Sequence, residues 1–114
     1  MRNENTVHEL KHGETVESFV KTAPLAIVQF GSATCLPCHA IRNKIDAWVA
    51  KCHDAKALYV SVEAHPEEAA QADVLSVPTV RLYAEGKLAI EKTGYFSLDQ
   101  ILAQAERYAE LIES

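Results

Sequence analysis

The sequence has few of the features that mark fibrous, disordered or membrane-spanning chains. It contains four glycines and four prolines, which excludes a collagen-like repeat and a flexible linker rich in these residues. Its longest apolar runs, such as residues 26–28, are far shorter than the roughly 20 residues that cross a bilayer. The polar start of the chain lacks the apolar stretch of a signal peptide, and this predicts a cytoplasmic location.

Positive charge is also scarce and scattered along the chain. The formal net charge is −5, and Lys and Arg form no cluster. Nucleic acids and acidic membranes are bound through concentrated positive charge, so neither is an expected partner. The three cysteines are an odd number, whereas a disulfide scaffold uses an even set in a secreted protein. The cysteines are therefore predicted to be chemically active rather than structural.

What the sequence does have is enough apolar residues, 48% of the total, to build one interior. Its length of 114 residues predicts a single domain over 1–114, with a core from about 7 to 112. Strand-like and helix-like patterns alternate in the order β-α-β-α-β-α-β-β-α, which is typical of an α/β fold. Strands are predicted at 7–10, 25–30, 57–63, 79–83 and 88–93, and helices at 13–22, at 35–52, from 66 and from 98. We expect a central mixed sheet with a hairpin at one edge and helices on both faces.

The most specific motif is Cys35-Leu36-Pro37-Cys38, placed between a buried strand and a helix. The N-terminus of a helix presents unpaired N–H groups and a partial positive charge, and both stabilise a thiolate. This placement predicts that the pKa of Cys35 lies below the value of about 8.5 for an ordinary thiol. Pro37 favours a helical first turn, so the two sulfur atoms are expected to lie within bonding reach.

Around this motif the chain resembles thioredoxin, from about Val7 to Ile112. The matching segments are Ile27-Val28-Gln29-Phe30, the cysteine motif, Val77-Pro78-Thr79, Gly86 and Gly94. The resemblance implies a thioredoxin fold in which Pro78 is cis, faces the active-site disulfide and follows a residue whose backbone pairs with substrate. It implies two catalytic residues, Cys35 and Cys38, and five substrate-binding residues: Thr34, Leu36, Pro37, Val77 and Pro78.

The resemblance also implies a function and its partners. Cys35 would attack a disulfide of another protein, and Cys38 would then resolve the mixed disulfide, so that the chain acts as a thiol–disulfide oxidoreductase. Such a protein is a monomer, takes electrons from a donor of the thioredoxin reductase type, and needs no metal or organic cofactor. The alternative is a thioredoxin-fold redox sensor or partner-binding module without general turnover.

Four positions depart from the family pattern. Thr34 stands where thioredoxins usually have tryptophan, Leu36 replaces the glycine of the motif, and Gln29 replaces a buried aspartate. Tyr59 stands where a lysine usually accompanies that aspartate. In the family, the aspartate and the lysine assist proton transfer at the second cysteine. Because both are replaced in this chain, we expect slower reduction of general disulfides. The redox direction stays open.

Other residues carry two interpretations. His39, when protonated, would add positive charge beside the thiolate, or it is a solvent-facing helix residue. Cys52 is either a small apolar residue at the end of the helix or a regulatory or dimer-forming thiol. Zinc would need further ligands, from Cys52 with His53 or His39, but Cys52 lies roughly 20 Å along the helix from the motif. Trp48 is expected in the core, and His8, His12, His53 and His65 on the surface.

Overall fold

The predicted order of strands and helices is the one observed. The computed structural model describes residues 5–52 and 54–113. Its strands are β1 Val7–Glu9, β2 Leu25–Gly31, β3 Ala55–Ser61, β4 Thr79–Ala84 and β5 Lys87–Thr93. Its helices are α1 Val16–Val20, α2 Leu36–Val49, α3 Pro66–Gln71 and α4 Leu98–Glu113.

The strands form one mixed sheet in the order β1-β3-β2-β4-β5. Strand β3 pairs parallel with both β1 and β2, while β4 pairs antiparallel with both β2 and β5. All seven residues of the central strand β2 are buried, in agreement with its nearly continuous apolar sequence. Phe30 near the end of β2 lies opposite Thr79 at the start of β4. The segments that follow β2 and precede β4 therefore meet at one edge of the sheet.

Helices cover both faces of the sheet, as predicted. Ile27 of β2 belongs to a core that includes Ile45 of α2 and Ile101 of α4. On the opposite face, Phe30 packs in a second core with Val20 of α1. Successive residues of a strand point to opposite faces, so β2 contributes to both interiors.

Several predicted boundaries are wrong by a few residues. The helix predicted over 13–22 is shorter, because Thr15 caps it by accepting a hydrogen bond from the Ser18 amide, and Gly13 has a left-handed φ of 94°. Strand β3 begins at Ala55, two residues before the predicted start, because Leu25 of β2 extends the parallel pairing to that point. The helix predicted to reach residue 52 ends at Val49.

Two predictions about individual side chains also need correction. His65 was expected on the surface, but it is 7% exposed, and its Nε2 lies 2.8 Å from the carbonyl oxygen of Leu10. A hydrogen bond of this kind allows an imidazole to be buried without losing its polar partner. Trp48 is half-buried rather than fully inside, and its Nε1 donates to Glu106 Oε2 at 3.1 Å. His53 lies outside the described residues.

Candidate active site

Cys35 and Cys38 are joined by a disulfide at the beginning of α2. Cys35 is the N-cap of the helix and Pro37 lies in its first turn, so the motif has the predicted position. The two Cα atoms are 5.3 Å apart, and the amide of Cys38 donates to the carbonyl of Cys35 at 3.1 Å. Cys35 is half-buried, whereas Cys38 is only 1% exposed. Cys35 is therefore far more accessible to another molecule than Cys38 is.

A carboxylate holds the loop that carries Cys35, and the sequence analysis missed it. Glu63 Oε1 accepts from the Ala33 amide at 3.1 Å, and Oε2 accepts from Ser32 Oγ at 2.9 Å. Ser32 Oγ in turn accepts from the Thr34 amide at 3.2 Å. The bonds from Ala33 and then Ser32 lower the pKa of Glu63 because they favour its charged form. The sequence offers one signal for this contact: Glu63 is an acidic residue just after β3, and β3 pairs with the strand β2 that leads into the cysteine motif.

Gln29 lies behind Cys38 in the interior. Its side chain is 1% exposed, and its Nε2 donates to the carbonyl oxygen of Cys38 at 2.8 Å. Its Oε1 is buried and has no hydrogen-bond partner among residues 5–52 and 54–113. An amide does not titrate near neutral pH, so this side chain cannot accept the proton of Cys38.

Tyr59 fills the space beside Gln29 on the same face of the sheet. The two residues are register partners in the parallel pairing of β2 with β3. The Tyr59 side chain passes so close to Gly31 that a Cβ atom there would lie 2.7 Å from its hydroxyl oxygen. The guanidinium of Arg42 lies over the ring, 4.6 Å from its centroid. Burial is the main reason that the pKa of Tyr59 is raised, so the phenol stays neutral.

The Val77–Pro78 peptide bond is cis, as the resemblance implied. Pro78 is buried and Val77 half-buried at the start of β4, on the sheet edge where the cysteine motif follows β2. The hydroxyl of Thr79 donates to the Ser76 carbonyl at 2.7 Å, and the Gly94 amide donates to the Pro78 carbonyl at 3.0 Å. These bonds fix the loop and connect it to the segment that follows β5.

Large apolar side chains stand exposed on the three loops of this edge. Leu36 is 81% exposed in the cysteine motif, Leu75 is 96% exposed before the cis peptide, and Tyr95 is fully exposed after β5. Thr34 and Pro37 are exposed as well. The structure thus brings the five residues predicted to bind substrate to one edge, which also carries the exposed Leu75 and Tyr95 that the sequence analysis did not select.

The remaining candidates lie apart from this arrangement or contact only its rim. His39 is exposed, and its Nε2 lies 3.4 Å from the carbonyl of Ala33. Cys52 is half-buried and packs against the core beyond the end of α2. Within the described part of the chain, no three residues of the His, Cys, Asp and Glu types form a group that could hold a metal ion. Across the same residues, no helix is both long and apolar enough to cross a bilayer.

Comparison with known proteins agrees with this geometry. The family model described as Thioredoxin matches residues 6–107. Thioredoxin-2 of Pyricularia oryzae is 29% identical over 89 residues, which cover 78% of this chain and 52% of that protein. The chain thus spans about half the length of this curated relative.

Solved structures show the same fold at lower sequence identity. A mutant thioredoxin from Halobacterium salinarum superposes with a TM-score of 0.79 at 20% identity, covering 96% of this chain and 95% of that one. Oxidised thioredoxin from Plasmodium falciparum superposes with a TM-score of 0.78 at 21% identity, covering 91% of this chain and 99% of that one. At these identities the likeness concerns the fold alone.

Proposed function

Because the chain belongs to the thioredoxin family, we propose that it is a thiol–disulfide oxidoreductase that reduces disulfides of other proteins through Cys35 and Cys38. The observation that carries the proposal is the disulfide at the start of α2, with one accessible and one buried cysteine. An accessible sulfur can attack a large substrate, and a buried neighbour can attack only the sulfur already joined to it.

The reaction is two successive thiol–disulfide exchanges. The Cys35 thiolate attacks one sulfur of a substrate disulfide, a mixed disulfide forms, and the other substrate sulfur leaves as a thiolate. Cys38 then loses its proton and attacks Cys35, which releases the second substrate sulfur and leaves the disulfide seen here. The substrate gains two electrons and two protons. A donor of the thioredoxin reductase type would return the two electrons to Cys35 and Cys38.

The resolving step has no internal base at the position of the family's aspartate. Gln29 occupies that position and cannot take a proton from Cys38. The proton would therefore pass to water, to His39 or to the leaving thiolate of the substrate. Slower reduction of general disulfides follows, provided that this step limits the rate.

Substrate recognition is assigned to the edge that carries the three loops. In this proposal Thr34, Leu36 and Pro37 contact the substrate on one side of the disulfide, and Val77 and Pro78 contact it on the other. The exposure of Leu36 and the proximity of β4 to the end of β2 support this arrangement.

Insulin reduction driven by dithiothreitol tests the activity. We expect turnover in the wild-type chain, at a lower rate than an authentic thioredoxin, and none in Cys35→Ser. Cys52→Ala is the matched control, because it removes a cysteine that does not take part in the disulfide. Turnover in Cys35→Ser equal to that of the wild type would refute the proposal.

A second candidate is a redox sensor or partner-binding module without general turnover. The bulky, 81% exposed Leu36 inside the motif and the non-titrating Gln29 favour it. Cys38→Ser separates the two functions, because it leaves mixed disulfides unresolved. Many trapped proteins indicate a general reductase, a single one indicates a dedicated partner, and none contradicts both functions.

A further inference from the structure

The buried side chain of Gln29 is hydrogen-bonded to Cys38 and carries one acceptor without a partner among the described residues. Its Nε2 donates to the Cys38 carbonyl oxygen at 2.8 Å, which holds the amide against that residue. Its Oε1 is buried without a partner among the described residues. A buried acceptor without a donor is unfavourable, so the disulfide form carries a cost that a new donor would relieve.

Reduction creates a new donor on the residue to which this amide is bonded. Opening the disulfide converts Cys38 into a thiol, and the side chain of Cys38 is buried on the inner face of α2, where the Gln29 amide lies. A thiol is a weak donor that gains from a strong acceptor in a site that excludes water. Tyr59 is the neighbouring donor on β3, but its hydroxyl lies against Gly31.

Resting on the proposed function, we propose that Gln29 is a positioning residue that accepts a hydrogen bond from the Cys38 thiol in the dithiol form. The bond exists only after reduction, so it stabilises the dithiol relative to the disulfide. The Cys35–Cys38 couple is therefore more oxidising than it would be without the amide, and Cys38 is held in its neutral form while Cys35 acts as nucleophile.

The first test is the equilibrium of the couple with glutathione, in which two glutathione thiols reduce the protein disulfide and form glutathione disulfide. We expect Gln29→Met, which keeps the length of the side chain and removes the amide, to lower the equilibrium constant for reduction about tenfold, or about 30 mV. A residue with a purely structural role would destabilise both forms and leave this constant unchanged.

Tyr59→Phe is the matched control, because it removes the competing hydroxyl and leaves Gln29 in place. We expect its equilibrium constant to stay near that of the wild type. A shift as large as that of Gln29→Met would assign the acceptor to the phenol and overturn the inference. An unchanged constant in Gln29→Met would overturn it as well, whereas a wild-type chain that fails to exchange with glutathione would refute the proposed function itself.

The second test detects the hydrogen bond by infrared spectroscopy without any turnover. In a Cys35→Ser variant on a Cys52→Ala background, Cys38 is the one remaining thiol of the three cysteines. We expect its S–H stretch at a lowered frequency, as in a bonded thiol, and a return to higher frequency when Gln29→Met is added. Identical frequencies with and without Gln29 would contradict the inference, even if the potential shifts.

Discussion

Replacing Gly31 with alanine tests how tightly the Tyr59 side chain packs against β2 near the disulfide. A Cβ atom at this position would lie 2.7 Å from the Tyr59 hydroxyl oxygen, 2.8 Å from Cε1 and 3.0 Å from Cζ. These distances are far inside van der Waals contact. The ring has little room to retreat, because Tyr59 is 7% exposed and the Arg42 guanidinium lies over it. The substitution must therefore displace the ring or the strand.

The expected loss follows from two opposing effects. Overpacking a rigid site costs about 1–3 kcal/mol, while alanine stabilises by about 0.4–1 kcal/mol because it restricts the unfolded chain. The net change is a loss of about 1–2 kcal/mol in the free energy of unfolding. For a chain of this length that loss corresponds to a decrease of about 4–8 °C in the midpoint of thermal unfolding.

Urea unfolding of Gly31→Ala in three backgrounds measures the effect and its cause. In the wild type and in Tyr59→Phe the loss should be similar, because Phe retains the Cε1 and Cζ atoms that a Cβ would meet. In Tyr59→Val the ring is gone, and the loss should disappear. A wild-type background that tolerates Gly31→Ala, or an equal loss in Tyr59→Val, would refute the reasoning.

Three further predictions concern the site and its surroundings. The lowered pKa of Glu63 means that its ionised form stabilises the fold above its ordinary pKa of 4.5, and that this contribution disappears as the pH falls through the lower folded value. When the pH is lowered from 6 into the acid range, the free energy of unfolding, measured with urea, should therefore fall more in the wild type than in Glu63→Gln. Equal decreases in the two proteins would contradict this prediction. Trp48, the single tryptophan, lies about 15 Å along α2 from Cys38, so its fluorescence should hardly change when the disulfide is reduced. A large change would show that reduction alters the structure at the far end of the helix. Leu36→Ala should slow insulin reduction severalfold, because the 81% exposed leucine is assigned to the substrate contact, and an unchanged or faster reaction would contradict that assignment.

The order of elements was predictable because each one has a strong local signal. The apolar run of β2 indicates a strand buried on both faces, and Pro66 with the two acidic residues after it is typical of the first turn of a helix. The position of Cys35 and Cys38 was predictable for the same reason, since a strand, a motif and a helix follow one another without a gap. The family resemblance then implied the cis peptide at Pro78.

What the sequence did not reveal depends on contacts between distant residues. Glu63 lies 30 residues beyond Ala33, and no local pattern indicates that its carboxylate would bond that loop. His65 was expected on the surface because histidine is a polar residue, but the Leu10 carbonyl gives it a hydrogen-bond partner in the interior. The Oε1 of Gln29, which has no partner in the described part of the chain, also depends on packing, because its environment is set by the positions of α2 and Cys38.

The pairing of Phe30 with Thr79 has a consequence for how this surface can change over evolutionary time. The two loops that flank the disulfide are anchored on adjacent central strands, whereas the side chains that meet solvent there, such as Leu36 and Leu75, contribute little to the interior. Under the proposed function, mutations at those tips would alter which proteins are accepted without displacing the sulfur atoms. Selectivity and reactivity would then be encoded in separate sets of residues, and each could be selected independently of the other.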